Sequence, residues 1–283
     1  MADWQRYTEL VPRHTVVGDL RIRHDIHSPQ LDHQRNVFVW LPASYASSDR
    51  RYPVLYMHDG DNLFDALVSY SGEWRVDETM TALSQEGYEA IIVGLPNAGT
   101  ERASEYDPYP DYAGRETKGK NYIRFLVDTI KPMIDAEFRT LPDVSHTGIA
   151  GSSMGGLISL YGFLTEPKTF GFCGAFSTAY WFGFSGLVQT IQEHANGHGK
   201  IYLDVGTQEG ATLDYWMERY RMNIVDTHAE YVRGVRELRD ELQKQGYTLG
   251  ENLRYIEDEG AIHREEAWAK RLPDALRFLL PKG

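Results

Sequence analysis

The 283-residue chain carries a formal net charge of −12 and is 42% hydrophobic, enough for a sizeable core and too acidic to grip nucleic acid through its phosphates. Its single cysteine, Cys173, excludes an intrachain disulfide and, inside the apolar stretch "FGFCGAFS", reads as a small buried hydrophobe rather than a nucleophile. The start, "MADWQRYTELVPRH", shows no signal-peptide apolar core, and no run reaches the ~18 apolar residues of a membrane span, so the expectation is a soluble cytoplasmic protein with no nucleic-acid or membrane partner.

Alternation in "GDLRIRHDI" and "RNVFVWLP" predicts two strands. The continuous apolar run "YPVLYMHD" predicts a strand buried on both faces. Val76, Met80 and Leu83 recur at helical spacing, with Gly87 as the stop. "EAIIVGLP" is another buried strand, ended by Pro96. Residues 97–120 are rich in Gly, Pro, Tyr and charge and have no period; long irregular segments of this kind are often functional. Ile123, Leu126, Val127, Ile130 and Ile134 mark a helix that Pro132 is expected to kink. Next come a strand "HTGIAG", a helix "GGLISLYGFL", and strands "FCGAFS" and "KIYLDVG". Val232, Val235, Leu238 and Leu242 mark a long helix ended by Gly246, followed by the strand "NLRYIED" and a final helix "EEAWAKRLPDALRFLL". Strands alternating with helices imply a mostly parallel sheet covered on both faces, with antiparallel strands at the N-terminal edge. No repeat or linker interrupts the pattern, so one α/β domain over residues 1–283 is expected.

Ser153 falls between the strand "HTGIAG" and the helix "GGLISLYG", and Gly151-Ser152-Ser153-Met154-Gly155 fits the G-x-S-x-G nucleophile elbow. A sharp strand-to-helix turn crowds the positions two before and two after the nucleophile, which explains the glycines. A helix N-terminus also favours negative charge developing at Ser153. The bland alternative is a glycine-rich turn whose serine caps the helix; the strand-turn-helix context and the extra Gly156 favour the elbow.

A serine hydroxyl needs a base, and in elbow folds the chain order is Ser, acid, His. His194 and His198 lie in the polar helix end "QEHANGHGK", and His228 starts a helix as a cap or surface residue. His263 follows the strand "NLRYIED" and its loop, where a base is delivered over the sheet, and is the favoured base. The acid should follow "KIYLDV". Asp204 lies within that strand and Glu209 in the loop just past it; strand-end loops carry the site in open α/β sheets, so Glu209 is favoured. An oxyanion hole needs two backbone N–H groups: Met154 supplies one, and Asp61, after the turn at Gly60, the other. Asp59, Asp61 and Asp65 do not have EF-hand spacing, and no metal is expected.

With these residues in place, the chain resembles the esterase-D-like, or enterochelin-esterase-like, branch of the α/β-hydrolases. The resemblance rests on "YPVLYMHDGDNLFD", "GEWRVDETM", "GSSMGGLISLY", "YLDVGTQEG" and "GAIHREEAWAKRLPDALRFL", in the expected order from about residue 36 to the C-terminus. The family includes siderophore, feruloyl and acetylxylan esterases, S-formylglutathione hydrolases and mycolyltransferases. The resemblance implies an α/β-hydrolase fold, a triad of Ser153, Glu209 and His263, oxyanion amides at Met154 and Asp61, and no cofactor. His58-Asp59-Gly60 departs from the Leu-Asp-Gly or His-Gly-x block of some relatives, which bears on the second oxyanion donor. The absent secretion signal counts against feruloyl esterase or mycolyltransferase roles.

The sequence therefore predicts a serine esterase acting on a small-molecule ester. An acyltransferase with the same triad, a serine peptidase and a non-catalytic module on the same fold are the alternatives. Arg102 and Arg115, in the basic and aromatic segment 101–120, are candidate substrate-binding residues beside Trp181 of "STAYWFGF".

Overall fold

The structure is a computed structural model that describes residues 3–110, 114, 116–214 and 224–282. Its strands are β1 (Gln5–Arg6), β2 (Asp19–Ser28), β3 (His33–Leu41), β4 (Val54–His58), β5 (Ile91–Leu95), β6 (Thr147–Ser152), β7 (Phe172–Phe176), β8 (Lys200–Gly206) and β9 (Leu253–Asp258). They form one sheet in the order β1-β2-β3-β5-β4-β6-β7-β8-β9. From β5 to β9 every pairing is parallel, and β1, β2 and β3 run antiparallel at the edge, as the absence of a helix between the two strands read there implies.

Side-chain alternation divides the core into two layers. Tyr56, Ile91, Val93 and Ile149 face the layer under helices Gly119–Phe125, Met154–Thr165 and Thr227–Lys244. Leu55, Met57, Ile92 and Ala150 face Met80 and Leu83 of helix Val76–Ser84 and Leu272 and Leu276 of helix Glu265–Leu279. Pro132 does not break its helix: a π turn at Leu126–Ile130 carries the chain into Lys131–Glu137, with the proline in the first turn, where its missing N–H matters least. Periodicity overlooked helix Phe184–His194 except for its polar end, and the two-residue β1.

Parallel strands end on one side of the sheet, and the loops leaving them there carry Asp59 and Asp61 after β4, Ser153 after β6, Ser177 after β7, Glu209 after β8 and His263 after β9. That is the site-bearing edge of an open α/β sheet.

At the start of helix Val76–Ser84, Asp77 is fully buried; its Oδ2 accepts the Val17 amide at 2.6 Å. Burial, reinforced by the neighbouring Glu78 carboxyl, pushes its carboxyl up to about 8, from an ordinary value of 3.8. An acid whose folded value is raised binds more protons folded than unfolded, so its contribution to stability is lost as pH rises from about 4 through about 8. Asp77→Asn keeps an acceptor for Val17 and removes that loss. Its midpoint of thermal unfolding at pH 8 should exceed the wild type's by about 2 °C or more, with the two converging towards pH 4. Parallel pH profiles would show that Asp77 carries none of the dependence.

Candidate active site

Ser153 joins β6 to helix Met154–Thr165 with φ 58° and ψ −120°. A non-glycine residue holds so sparsely populated a conformation only when its surroundings over-determine it. Ser153 N donates to Phe176 O at 2.9 Å, and Ser153 O accepts from Ala179 N at 3.0 Å and Leu157 N at 3.1 Å. Of the flanking glycines, Gly151 and Gly156 are needed for space, while a Cβ on Gly155, two after the serine, would meet nothing nearer than His58 Cβ at 3.4 Å. A Cβ on Gly151 would lie 2.9 Å from the His58 ring and from the Gly155 backbone, and one on Gly156 would lie 2.9 Å from Phe176 O. Met154 opens the helix, so its amide is one of the N–H groups that have no partner within the helix.

Past β8 the chain turns back so that Glu209 reaches under His263. Gly206 makes this possible: a Cβ there would lie 2.4 Å from Ala261 O. Glu209 Oε1 accepts from Gly206 N and Ser177 Oγ, both at 2.7 Å, and Oε2 lies 2.9 Å from His263 Nδ1. The Tyr231 hydroxyl sits 3.3 Å from the same nitrogen, and the imidazole meets Trp268 edge-on at 5.0 Å. The ring is thus held through Nδ1. Among the described residues no hydrogen bond joins it to Ser153. Such a bond is often long without substrate and tightens in the reacting complex.

Asp204 stays in the strand. Its Oδ1 accepts Ser177 N at 3.0 Å, and Oδ2 is 2.9 Å from Arg271 Nε. Burial pushes its carboxyl up to about 6, against the opposing pull of Arg271. Ser177, at φ 44°, ties the two carboxylates together: its hydroxyl donates to Glu209 and accepts from Trp268 Nε1 at 2.9 Å and Arg271 Nη2 at 3.0 Å.

The loop after β4 faces the elbow from the other side. Asp59 is left-handed at φ 54°, and Asp61 sits mid-turn in Gly60–Asn62. A Cβ on Gly60 would come within 2.7 Å of Pro96 N. His58 beneath is fully buried, its Nδ1 2.7 Å from the Tyr122 hydroxyl. Burial depresses it to about 3, overcoming the opposing pull of Asp59, so it contributes a neutral ring at neutral pH.

Arg102 does not reach into open space. Its Nε and Nη2 clasp Asp59 Oδ1 and Oδ2 at 2.7 and 2.8 Å, while Asn97 Nδ2 reaches Oδ1 at 2.8 Å and the Tyr106 hydroxyl accepts Asp59 N. Burial would raise the Asp59 carboxyl, but Arg102 holds it below its usual value. Arg115 lies outside the described residues. Trp181 is 9% exposed and packs edge-on against Tyr231 at 4.9 Å, the ring that in turn lies 5.6 Å from the His263 imidazole. His194 and His198 are exposed, and His228 Nδ1 accepts Gly210 N. Asp65 is occupied by Tyr7 and Thr15, and Asp59 by Arg102, so the three aspartates of this loop do not converge on a cation. Glu73, Asp77 and Glu78 do bring carboxylate oxygens within 4.8 Å of one another, with Arg75 paired to Glu78. Sequence reasoning missed Ser177, Arg271 and Asn97; none has a local signal, because their partners are remote in the chain.

A strained serine between strand and helix, a carboxylate–histidine pair at the ends of the next strands, and a mainly parallel sheet define the α/β-hydrolase class. Residues 28–279 match the family model "Esterase", described as "Putative esterase", and the chain belongs to that family of ester hydrolases. It is 24% identical over 259 residues to the uncharacterized protein YbbA of Bacillus subtilis, covering 88% of this chain and 94% of that one. It is 30% identical over 125 residues to esterase MT1326 of Mycobacterium tuberculosis, covering 44% of this chain and only 25% of that protein. An IroE-like serine hydrolase from Shewanella oneidensis superposes with a TM-score of 0.69 at 18% identity, covering 91% of this chain and 79% of that one.

Because Arg102 holds Asp59 and thereby the loop of Asp61, Arg102→Ala should lower turnover of neutral and anionic esters alike, by about tenfold. Paired assays on two esters differing only in charge measure this. A KM rise confined to the anionic ester would assign Arg102 to substrate contact instead.

Proposed function

We propose that this protein is a serine esterase acting through an acyl-enzyme, as one α/β-hydrolase domain. Ser153 is the nucleophile, His263 the base, Glu209 the acid, and the amides of Met154 and Asp61 hold the oxyanion. The carrying observation is the 2.9 Å contact between His263 Nδ1 and the Glu209 carboxylate, at the same sheet edge as the strained Ser153. With Nδ1 committed, Nε2 is the nitrogen available to Ser153. It takes the hydroxyl proton as Oγ attacks the ester carbonyl, while Glu209 balances the imidazolium. The tetrahedral oxyanion is met by amide dipoles already in place. Collapse expels the alcohol, which receives the proton from Nε2. Water then attacks the acyl-enzyme by the same steps in reverse and frees Ser153. The esterase named among the relatives supports water as the acceptor rather than a second alcohol, and small-molecule esters are the substrate class.

Four single variants assayed on one activated ester test the assignment. Ser153→Ala and His263→Ala should each lose about three orders of magnitude or more in kcat. Glu209→Gln should fold, keep its KM and lose about a hundredfold or more in kcat. Asp204→Asn uncovers the buried Arg271 and should instead lower the unfolding midpoint, with most activity per folded molecule retained. A near-normal Glu209→Gln beside a folded but crippled Asp204→Asn would move the acid to Asp204.

A further inference from the structure

Two segments must keep register for this chemistry: the turn that presents the Asp61 amide and the loop that presents His263. They lie some two hundred residues apart in the chain, and among the described residues a single side chain bonds them directly. Glu265, 5% exposed, is the first residue of helix Glu265–Leu279, two positions after His263. Its Oε1 accepts from Asn62 Nδ2 at 3.0 Å and from Ser71 Oγ at 2.6 Å.

Both donors belong to the oxyanion loop, and Asn62 is its hub. Asn62 closes the turn that carries Asp61, its amide donating to Asp59 O at 2.9 Å. Its carbonyl accepts Trp74 N at 2.8 Å, and its Oδ1 accepts Tyr70 N at 3.0 Å. At the far end of the loop Gly72 packs beside Glu265 with φ +120°, a backbone conformation that favours glycine. On the other side, Arg264 N bonds to Ile262 O, and Ala267 N and Trp268 N to Arg264 O, so the short span from His263 to Glu265 is itself tightly turned.

We infer that Glu265 is a positioning residue, which fixes the distance between the base on its own loop and the oxyanion amide on the loop after β4. The inference rests on the triad proposed above. It does not require Glu265 to touch substrate. Oxyanion donors act only within about 2.7–3.1 Å of the developing charge, and an error of about 1 Å in a catalytic constellation can cost about a hundredfold. A bond that registers the two loops therefore acts on the transition state more than on substrate binding.

The test compares Glu265→Ala, Glu265→Gln and Asn62→Ala, with Ser153→Ala as reference, on an activated ester. Glu265→Ala should lose about ten- to a hundredfold in kcat with KM within about twofold of wild type. Glu265→Gln keeps an acceptor for Asn62 and Ser71 and should recover activity to within about fivefold of wild type. Asn62→Ala removes the partner from the other side; should Glu265→Ala unfold, it carries the same expectation. The losses of Glu265→Ala and Asn62→Ala should not multiply in the double variant, since both break one link. A folded Glu265→Ala enzyme with unchanged kcat, a Gln variant as impaired as the Ala variant, or multiplying losses would each overturn the inference. Retention of activity by Ser153→Ala would overturn the triad itself, a separate failure that the same assay identifies.

Discussion

The constraint on which the site depends is the backbone of Ser153. A conformation of φ 58° and ψ −120° costs of the order of 1–3 kcal/mol for a residue with a side chain. It persists because the sheet leaves no alternative. β6 and β7 pair in register up to Ser152 and Phe176, and Phe176 O then captures the Ser153 amide. Gly151 and Gly156 let the helix, the strand and His58 close around the turn, whereas Gly155 would hold a Cβ at an ordinary 3.4 Å from His58. His58 must stay neutral to sit there, and full burial ensures it. Strain at the serine is thus the local expression of close packing between β4, β6, β7 and the helix that follows.

A second constraint concerns charge. Glu209, Asp204 and Arg271 are all nearly inaccessible to water, and buried ions are tolerated only when paired and hydrogen-bonded. One arginine lies within 3.6 Å of Asp204, Glu209 and Asp258. Ser177 completes the arrangement by donating to Glu209 while accepting from Arg271 and Trp268. The two acids then have separate work. Asp204 anchors Arg271 and the Ser177 amide, whereas Glu209 turns its second oxygen to His263. An imidazolium formed during turnover would add positive charge to an environment with more carboxylates than guanidinium groups, which favours the protonated intermediate of the proposed cycle.

Much of this was legible in the sequence wherever the signal is local. Period-two and continuous apolar runs mark the strands, and the crowded glycines around Ser153 follow from turn geometry. Glu209 and His263 stand out because strand ends can be read from pattern. What was not legible is what remote side chains do to one another. Arg102 looks like a free cation in a basic loop; only folding brings Asp59 to it across 43 residues. Pro132 looks like a kink, and a π turn absorbs it. Glu265 reads as an ordinary acid in the first turn of a helix, where the dipole favours it, until Asn62 and Ser71 arrive from 203 and 194 residues away.

The loop after β4 shows how far such remote contacts converge. Arg102, Asn97 and Tyr106 fasten Asp59, and Glu265 fastens Asn62. The N-terminal segment secures the rest: Tyr7 and Thr15 donate to Asp65 at 2.9 and 3.1 Å, Thr15 Oγ accepts Ala66 N, and Val17 N reaches Asp77. Loops ordinarily sample more conformations than the elements they connect, and an amide with the proposed role of meeting an oxyanion cannot. Here the restriction comes from three separate parts of the chain, none of which supplies a residue of the proposed triad. Variation at the N-terminus, in residues 97–106 or at the start of the last helix therefore has a route to reactivity that leaves Ser153, Glu209 and His263 untouched.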